Sequence, residues 1–492
     1  MEINDLTAAE ERVWRAFPKG EPVDFREGSA EGDTADNPAT GSDWGPERTV
    51  RASVLRALLL GAPHEDGEIP RLRLSGARVT GQLKLAYAVV DHPLHLRYCH
   101  FEESPDFYGS RLRQLNLRGS VLPAVNLASV RIDGPLRMTD CRVRGPVRLA
   151  GSQIAGALFM DGAELTTSDP SVPVLQLHQS VLGDGFAAPG LRVRGEVRLD
   201  GATVGGSIAL DDAELSNPGG HALCARSLEV RADMRARNLR TQGGIDLRGS
   251  RIAGSLDFTR ARLSNPGGTA LRASSCTLGE LWLYRCVPIE GRLHLRRSRI
   301  DVLGFESEVA PGEVLFNHLT YTALNPHEPV HRRLPLLERD GDGYVPYAYE
   351  QLTAAYRHVG DEAAARRVQL AKQRRHRATL PFLGRVWGHL QDTTVGYGFR
   401  PLRAAVWLLS LLAVGSVAYA LHHPDPLKAG EAPQFNPVFY TLDLLLPVIS
   451  FGQEGAFAPV GGYQFLSYVL ILTGWILATT VIAGVSRSVT RQ

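Results

Sequence analysis

Across residues 72–300 the apolar side chains recur in an eleven-residue frame. With Leu74 as zero, a small residue stands at three (Ala77), a branched apolar one at five (Val79), glycine at seven (Gly81) and leucine at nine and eleven (Leu83, Leu85). The frame also fits Met138-Cys141-Val143-Gly145-Val147-Leu149, Leu149-Ser152-Ile154-Gly156-Leu158-Met160, Leu199-Ala202-Val204-Gly206-Ile208-Leu210 and Leu247-Ser250-Ile252-Gly254-Leu256-Phe258. A fixed period means stacked units that cannot bury their apolar faces alone. Inward positions two apart lie on short extended segments separated by corners, whereas a helix would place them three and four apart and would not tolerate this much glycine. The spacing predicts a mainly β solenoid, with glycine at tight corners where positive φ costs least. Five plus six residues make each repeat, and two repeats make a four-sided coil of about 22. Ten or so coils at ~4.8 Å would give a rod roughly 50 Å long.

Departures from the frame predict bulging coils. Residues 215–223 (LSNPGGHAL) recur as 263–271 (LSNPGGTAL), and Asn-Pro-Gly-Gly is strong turn chemistry, so both read as loops on one side of a duplicated coil. A longer excursion falls at 166–173. Residues 1–70 supply an N-terminal helical cap for the open end: a helix carrying Leu6, Val13, Trp14 and Phe17, an acidic Gly-rich loop over 27–43, and a second helix over 49–60. The solenoid is read as 71–303 and a linker as 304–345. Helices over 346–359 and 362–377, broken at Gly360-Asp361, form a hairpin resembling a single tetratricopeptide-type pair. It sets Tyr349, Leu352 and Tyr356 against Ala364, Val368 and Ala371 and is expected to dock on the last coils. A helix over 380–390 follows, with Phe382, Leu383, Val386, Trp387 and Leu390 on one face, and completes a 346–400 unit.

Residues 401–492 change character. Uncharged apolar runs at 404–421 and 465–485 suit a hydrocarbon layer of ~30 Å, with Trp407, Tyr419, Tyr468 and Trp475 as interfacial aromatics. Arg366, Arg367, Lys372, Arg374, Arg375, Arg377, Arg385, Arg400 and Arg403 precede the first run and Arg487 and Arg491 follow the second, whereas the connection offers Lys428. The positive-inside rule then places both termini and the solenoid in the cytoplasm, in a multi-pass protein of the inner membrane. Arg374, Arg375, Arg377, Arg385, Arg400 and Arg403 are expected to meet an anionic inner leaflet, in preference to nucleic acid.

Between these runs lies a third apolar piece, 435–451, interrupted by Asp443 and Pro447. Asp443 at mid-bilayer would cost ~2.5–3.5 kcal/mol, so a full span is excluded in favour of an external half-helix, interfacial or re-entrant. With Gly452-Gln453-Glu454-Gly455 after it, the order matches a two-span pore-loop subunit, and Asp443, Gln453 and Glu454 are the candidate pore-loop residues. Thr394-Val395-Gly396-Tyr397-Gly398 spells a potassium-filter string but precedes the first run, where no pore helix can hold it, and reads as a turn into the membrane.

The chain is ordered in composition and nearly neutral, at 44% hydrophobic and net +2 over 492 residues. Its five cysteines include no CxxC pair, and no signal-like apolar segment opens the chain, which together suggest a reducing compartment. Cys99, Cys141 and Cys286 fall at position three, which elsewhere holds Ala77, Ala163, Ala202, Ser152, Ser250 or Ser298, so they read as core fillers. Asp340-Gly-Asp342-Gly lacks the glycine and closing acid of a calcium loop and reads as a turn. His95, His178, His221 and His294 read as surface residues. No phosphate loop, nucleophile elbow or metal spacing occurs, and no cofactor is implied.

Trp44-Gly-Pro-Glu-Arg-Thr-Val, the glycine-punctuated coils, Tyr349-Glu-Gln-Leu, Gly360-Asp361, Gly396-Tyr-Gly-Phe-Arg-Pro401 and the two apolar runs resemble a group of actinobacterial membrane proteins across nearly the whole chain. The resemblance, shared with pentapeptide proteins, implies a right-handed β-solenoid joined to a membrane hairpin. Members are often labelled membrane-associated oxidoreductase, which the resemblance implies as a second alternative. The residues favour a membrane-tethered cytoplasmic scaffold or partner-recognition protein, its solenoid surface binding a protein of unknown identity. The first alternative is an oligomeric pore in which the solenoid regulates, with further copies of this chain as partners.

Overall fold

A computed structural model describes residues 5–27, 36–61, 67–382, 384–385, 388–389, 401–428, 432–446 and 449–489, with side chains left out at 401–404 and 478–489. The chain forms two compact units, Met1–Gln351 and Leu352–Gln492.

The first unit is a parallel β-solenoid of about 12 turns with ~22 residues per turn. One inward ladder shows the stacking: Leu72, Leu94, Leu115, Leu136, Leu158, Phe186, Ile208, Met234, Leu256, Leu281 and Leu303 pair in parallel register from coil to coil. Strand pairing continues to Thr320–Asn325, into the stretch read from sequence as a linker.

The corner chemistry differs from the expectation. Positive φ falls at position two of the frame, at Gly76 (70°), Tyr87 (58°), Tyr98 (52°) and Asp140 (56°), so non-glycine residues occupy many corners. There the amide of position three donates to the carbonyl of position zero, as Ala88 does to Leu85 at 3.0 Å and Cys141 to Met138 at 3.2 Å. This is a type II turn, whose third residue takes the left-handed conformation. Position-seven glycines serve close stacking instead. A Cβ on Gly145 would lie 2.6 Å from the Pro123 carbonyl oxygen, and one on Gly156 2.9 Å from the Gly134 carbonyl carbon. Gly81, at φ +72°, keeps the expected role.

Position three is a donor slot as well as a small one. Cys141 Sγ donates to Leu117 O at 2.9 Å, Cys276 Sγ to Leu247 O at 2.9 Å, Ser120 Oγ to Leu96 O at 2.9 Å and Ser250 Oγ to Ala225 O at 2.7 Å. Each reaches the turn carbonyl of the preceding coil. In these four coils the thiol or hydroxyl satisfies its own hydrogen while tying two coils together, whereas buried Ser152 Oγ makes no such bond.

The two Asn-Pro-Gly-Gly segments do not project as free loops. They are bulges inside the strands Glu214–Cys224 and Arg262–Arg272, closed by Asn217 Nδ2 on His221 O at 2.8 Å and Asn265 Nδ2 on Thr269 O at 2.9 Å. Each folds over a glycine of the next coil. A Cβ on Gly243 would lie 2.5 Å from Asn217 O, and one on Gly291 2.6 Å from Asn265 O.

Both ends of the solenoid are covered. At the start, α1 (Ala8–Ala16) is capped by Thr7 and Glu10 in a reciprocal capping box. Residues 49–51, expected to open the second helix, form a strand paired with Arg78–Thr80, and α2 (Ala52–Gly61) follows, burying Val54, Leu55 and Leu58. Fully buried Glu10 accepts from Arg51 N at 3.0 Å and Arg51 Nε at 2.7 Å, tying helix to strand. At the far end α3 (Val330–Glu338) inserts buried Arg333, which donates to the Phe305 and Pro326 carbonyls and pairs with buried Glu328 at 3.0 Å. Asp340 accepts from Phe316 N at 3.0 Å and Asp342 N at 2.9 Å, so the calcium-like string is a turn fastened to the last coil. The start of α4 (Pro346–His358) packs there too, Gln351 Nε2 donating to Tyr321 O at 2.6 Å.

In the second unit the remainder of α4 packs with α5 (Glu362–Thr379), which Asp361 caps at Ala364 N (2.9 Å) and which buries Ala364, Ala365 and Val368. Gln369 Nε2 donates to Thr353 Oγ1 at 3.1 Å between them. Then come α6 (Pro401–Leu421), α7 (Pro437–Leu445) and α8 (Gly462–Val489). Among the described residues no helix is long and apolar enough to cross a membrane. The side chain of Ala404 and those of 478–485, which complete the two apolar runs, lie outside the described set, as do those of Arg403, Arg487 and Arg491 and the whole of Leu383, Val386, Trp387, Leu390, Arg400, Pro447 and the filter-like string 394–398.

Candidate functional site

The site is built on α7. Asn436 caps it, its Oδ1 accepting from Val438 N at 3.0 Å and Phe439 N at 3.3 Å, and Pro437 supplies a first helical residue that needs no donor partner. The helix occupies only part of the 435–451 apolar piece, ending at Leu445, and Phe451 lies back against Asp443.

Two glycines set its place. A Cβ on Gly415 of α6 would lie 2.4 Å from Thr441 Cγ2 and 3.1 Å from Leu470 Cδ1, and one on Gly474 of α8 would lie 2.3 Å from Leu445 O. Thr441 to Leu445 and Leu470 to Gly474 are equal steps of about one helical turn, ~6 Å at 1.5 Å per residue. The half-helix therefore runs alongside α8 in the same direction. The first helix runs opposite, since Tyr419, one turn beyond Gly415, donates its hydroxyl to Tyr463 O at 3.0 Å near the start of α8. Tyr419, Tyr440, Leu444, Leu445, Phe457 and Leu470 form the buried cluster that joins the three helices.

Asp443 and its loop are brought together as the sequence suggested, but in a different role. The carboxylate is 5% exposed. Its Oδ1 accepts from Phe451 N, and its Oδ2 accepts from Gln453 N at 2.7 Å and Glu454 N at 3.1 Å. It is an internal strut for the returning loop. Gln453 is buried as well, Oε1 accepting from Asn436 N at 3.2 Å and Nε2 donating to Gln434 O at 3.1 Å, which fastens the loop to the start of α7. Glu454 contributes its amide to Asp443 and leaves its side chain exposed. The short strands Asp425–Pro426 and Phe457–Ala458 pair antiparallel and close the connection.

Of the basic residues, Arg374 and Arg385 are exposed and Arg375 and Arg377 half-buried; Arg377 Nη1 donates to Gly388 O at 3.4 Å. Arg400 and the Arg403 side chain lie outside the described residues.

On the solenoid, outward positions stack into charge ladders, Arg142–Glu164–Arg192 at 3.5 and 3.2 Å being one. Burial would raise the Asp246 pKa, but Arg248 and Arg226, bonded at 2.8 and 2.9 Å, hold it at about 2. Burial, reinforced by Arg272 and Arg296, pushes His294 down to about 4. Burial pushes the Cys99, Cys141 and Cys224 thiols up to about 12, so none is poised as a nucleophile. Among the described residues no group of three or more His, Cys, Asp or Glu side chains is arranged to hold a metal ion.

Sequence reasoning missed Gly415 and Gly474, which look like ordinary small residues in apolar runs; only their facing partners reveal them. No family model matches the chain, and no curated protein or solved structure matches it significantly.

Proposed function

We propose that this protein is a membrane-tethered β-solenoid whose C-terminal unit is one subunit of an oligomeric pore, with the solenoid, a right-handed coil, as its cytoplasmic recognition and regulatory domain. The observation that carries this reading is the seating of α7 lengthwise against α6 and α8 at Gly415 and Gly474. A helix resting on the outer leaflet would have no reason to lie alongside both neighbours one turn at a time. In this reading α6 and α8 span the bilayer through the apolar runs 404–421 and 465–485, and α7 is re-entrant. Non-helical backbone at membrane depth is tolerated only where protein or a water-filled cavity covers it. Two spans and a half-helix cannot supply that cover, and several copies around an axis can.

The scaffold reading is favoured by Asp443. With both oxygens committed to loop amides it stiffens a compact anchor and offers no charge to a conduction path. Mass measurement of the full chain, carried in lipid from its own membrane, separates the two. The pore reading expects an oligomer; a monomer would refute it and leave the tethered scaffold.

A further inference from the structure

Resting on the pore reading, the geometry of the loop points to what passes. Phe451, Gln453 and Glu454 aim their N–H groups at Asp443. In a planar trans peptide the carbonyl of the preceding residue points the opposite way, and the one cis bond among the described residues is Asn325–Pro326. The carbonyls of Ser450, Gly452 and Gln453 are therefore turned away from the strut. Gln453 O is used locally, accepting from Ala456 N at 3.2 Å. Among the described residues, the Ser450 and Gly452 carbonyls accept no hydrogen bond. Ser450, Phe451 and Gly452 are all exposed, and the Phe439 and Phe451 rings pack 5.2 Å apart beside them.

We propose that the Ser450 and Gly452 carbonyls, contributed by each copy around a shared axis, form a coordination shell for a monovalent cation. Backbone carbonyls can replace the hydration shell of such an ion. A divalent ion such as calcium calls for carboxylate ligands as well; Asp443 has both oxygens turned inward to the amides, which leaves the exposed Glu454 as the one loop acid that could supply a carboxylate beside the carbonyls. The C-terminal end of α7, from which the loop departs, carries partial negative charge and favours a cation over an anion. Asp443 is thus a positioning residue: it aims the carbonyls without touching the ion.

The test is full-length protein reconstituted in planar bilayers, with potassium, sodium, calcium and chloride as the probes and oligomer mass measured on the same sample. The wild-type oligomer is expected to pass potassium and sodium while excluding calcium and chloride. Asp443→Asn replaces one acceptor oxygen with a donor, and Gly452→Ala loads a residue at φ +76° that has open space around it. Both are expected to keep the oligomer and to move the reversal potential until the potassium-to-chloride permeability ratio collapses toward unity. A monomer overturns the pore reading itself. An intact oligomer that passes no current overturns the pore reading as well, whereas one that passes anions, or keeps its selectivity in both variants, overturns the carbonyl site alone.

Discussion

Cys141 tests the register of the whole solenoid at one atom. Its side chain is fully buried and Sγ donates to Leu117 O at 2.9 Å, the contact that Ser120 and Ser250 make from the same slot in other coils. Cys141→Ser keeps a donor of nearly the same size in place and should change stability by less than about 1 kcal/mol. Cys141→Ala removes the sulfur. Leu117 O retains the Ser120 amide at 3.0 Å, so the loss is one modest hydrogen bond and a small cavity, about 1–2 kcal/mol together. Cys141→Arg puts an unpaired charge into a closed coil, about 3–5 kcal/mol, and overpacks it by about 1–3 kcal/mol more. The arginine variant is then ~2–7 kcal/mol worse than the alanine one, and at ~2–4 °C per kcal/mol for a chain portion of this size it should melt ~4–28 °C lower. Thermal unfolding of the purified full chain, followed by circular dichroism, gives the order Ser, Ala, Arg. Equal melting of the alanine and arginine variants would mean that position three does not face the interior and that the coil register is wrong.

The proposed topology places Lys428 outside: after the five native cysteines are replaced, Lys428→Cys should react with an impermeant thiol reagent in intact cells, and labelling only after lysis refutes it. His294 titrates lower in the folded protein (about 4) than when unfolded (6.5), so its neutral form is the stabilising one. The contribution is present above pH 6.5 and lost as pH falls toward 4; His294→Gln should flatten the melting curve across that window, and an unchanged pH profile counts against burial as the cause. Arg333→Met removes the cation beside buried Glu328, which keeps the Ser307 amide and hydroxyl as donors, and should cost about 3 kcal/mol, read as early hydrogen exchange in the last coils. Rapid exchange confined to the first coils would place the weak end of the solenoid elsewhere.

The solenoid was legible because its determinants are local and repeated. An inward leucine recurs at the same phase in coil after coil, so eleven residues carry the information of the whole stack. The left-handed corner was harder to place because its residue is chemically free: Gly76, Tyr87, Tyr98 and Asp140 share a φ but no side chain. Glycine at position seven is conspicuous in the frame, yet its role is contact with the coil beneath, which no single repeat displays. The α3 cap was hidden for the opposite reason. It occurs once, and Arg333 reads as a surface residue until the carbonyls of Phe305 and Pro326 are seen around it.

The C-terminal unit shows how far a single residue can be read. An acid inside an apolar piece signals that the segment does more than fill space, and that inference led to Asp443. Composition also argued against a full span, and the helix in this segment ends at Leu445. What the residue does depends on where the chain returns, and a carboxylate can face water or collect amides with the same letter in the sequence. Here it collects three, at a point where Gln453 fastens the loop from the other side through Asn436 and Gln434. Charge neutralisation at Asp443 should therefore act through the shape of the loop. A pore lined by the acid itself would instead lose conductance in proportion to the charge removed and would be indifferent to Gly452→Ala. Sensitivity to both substitutions identifies the peptide groups, not the carboxylate, as the surface that meets the ion.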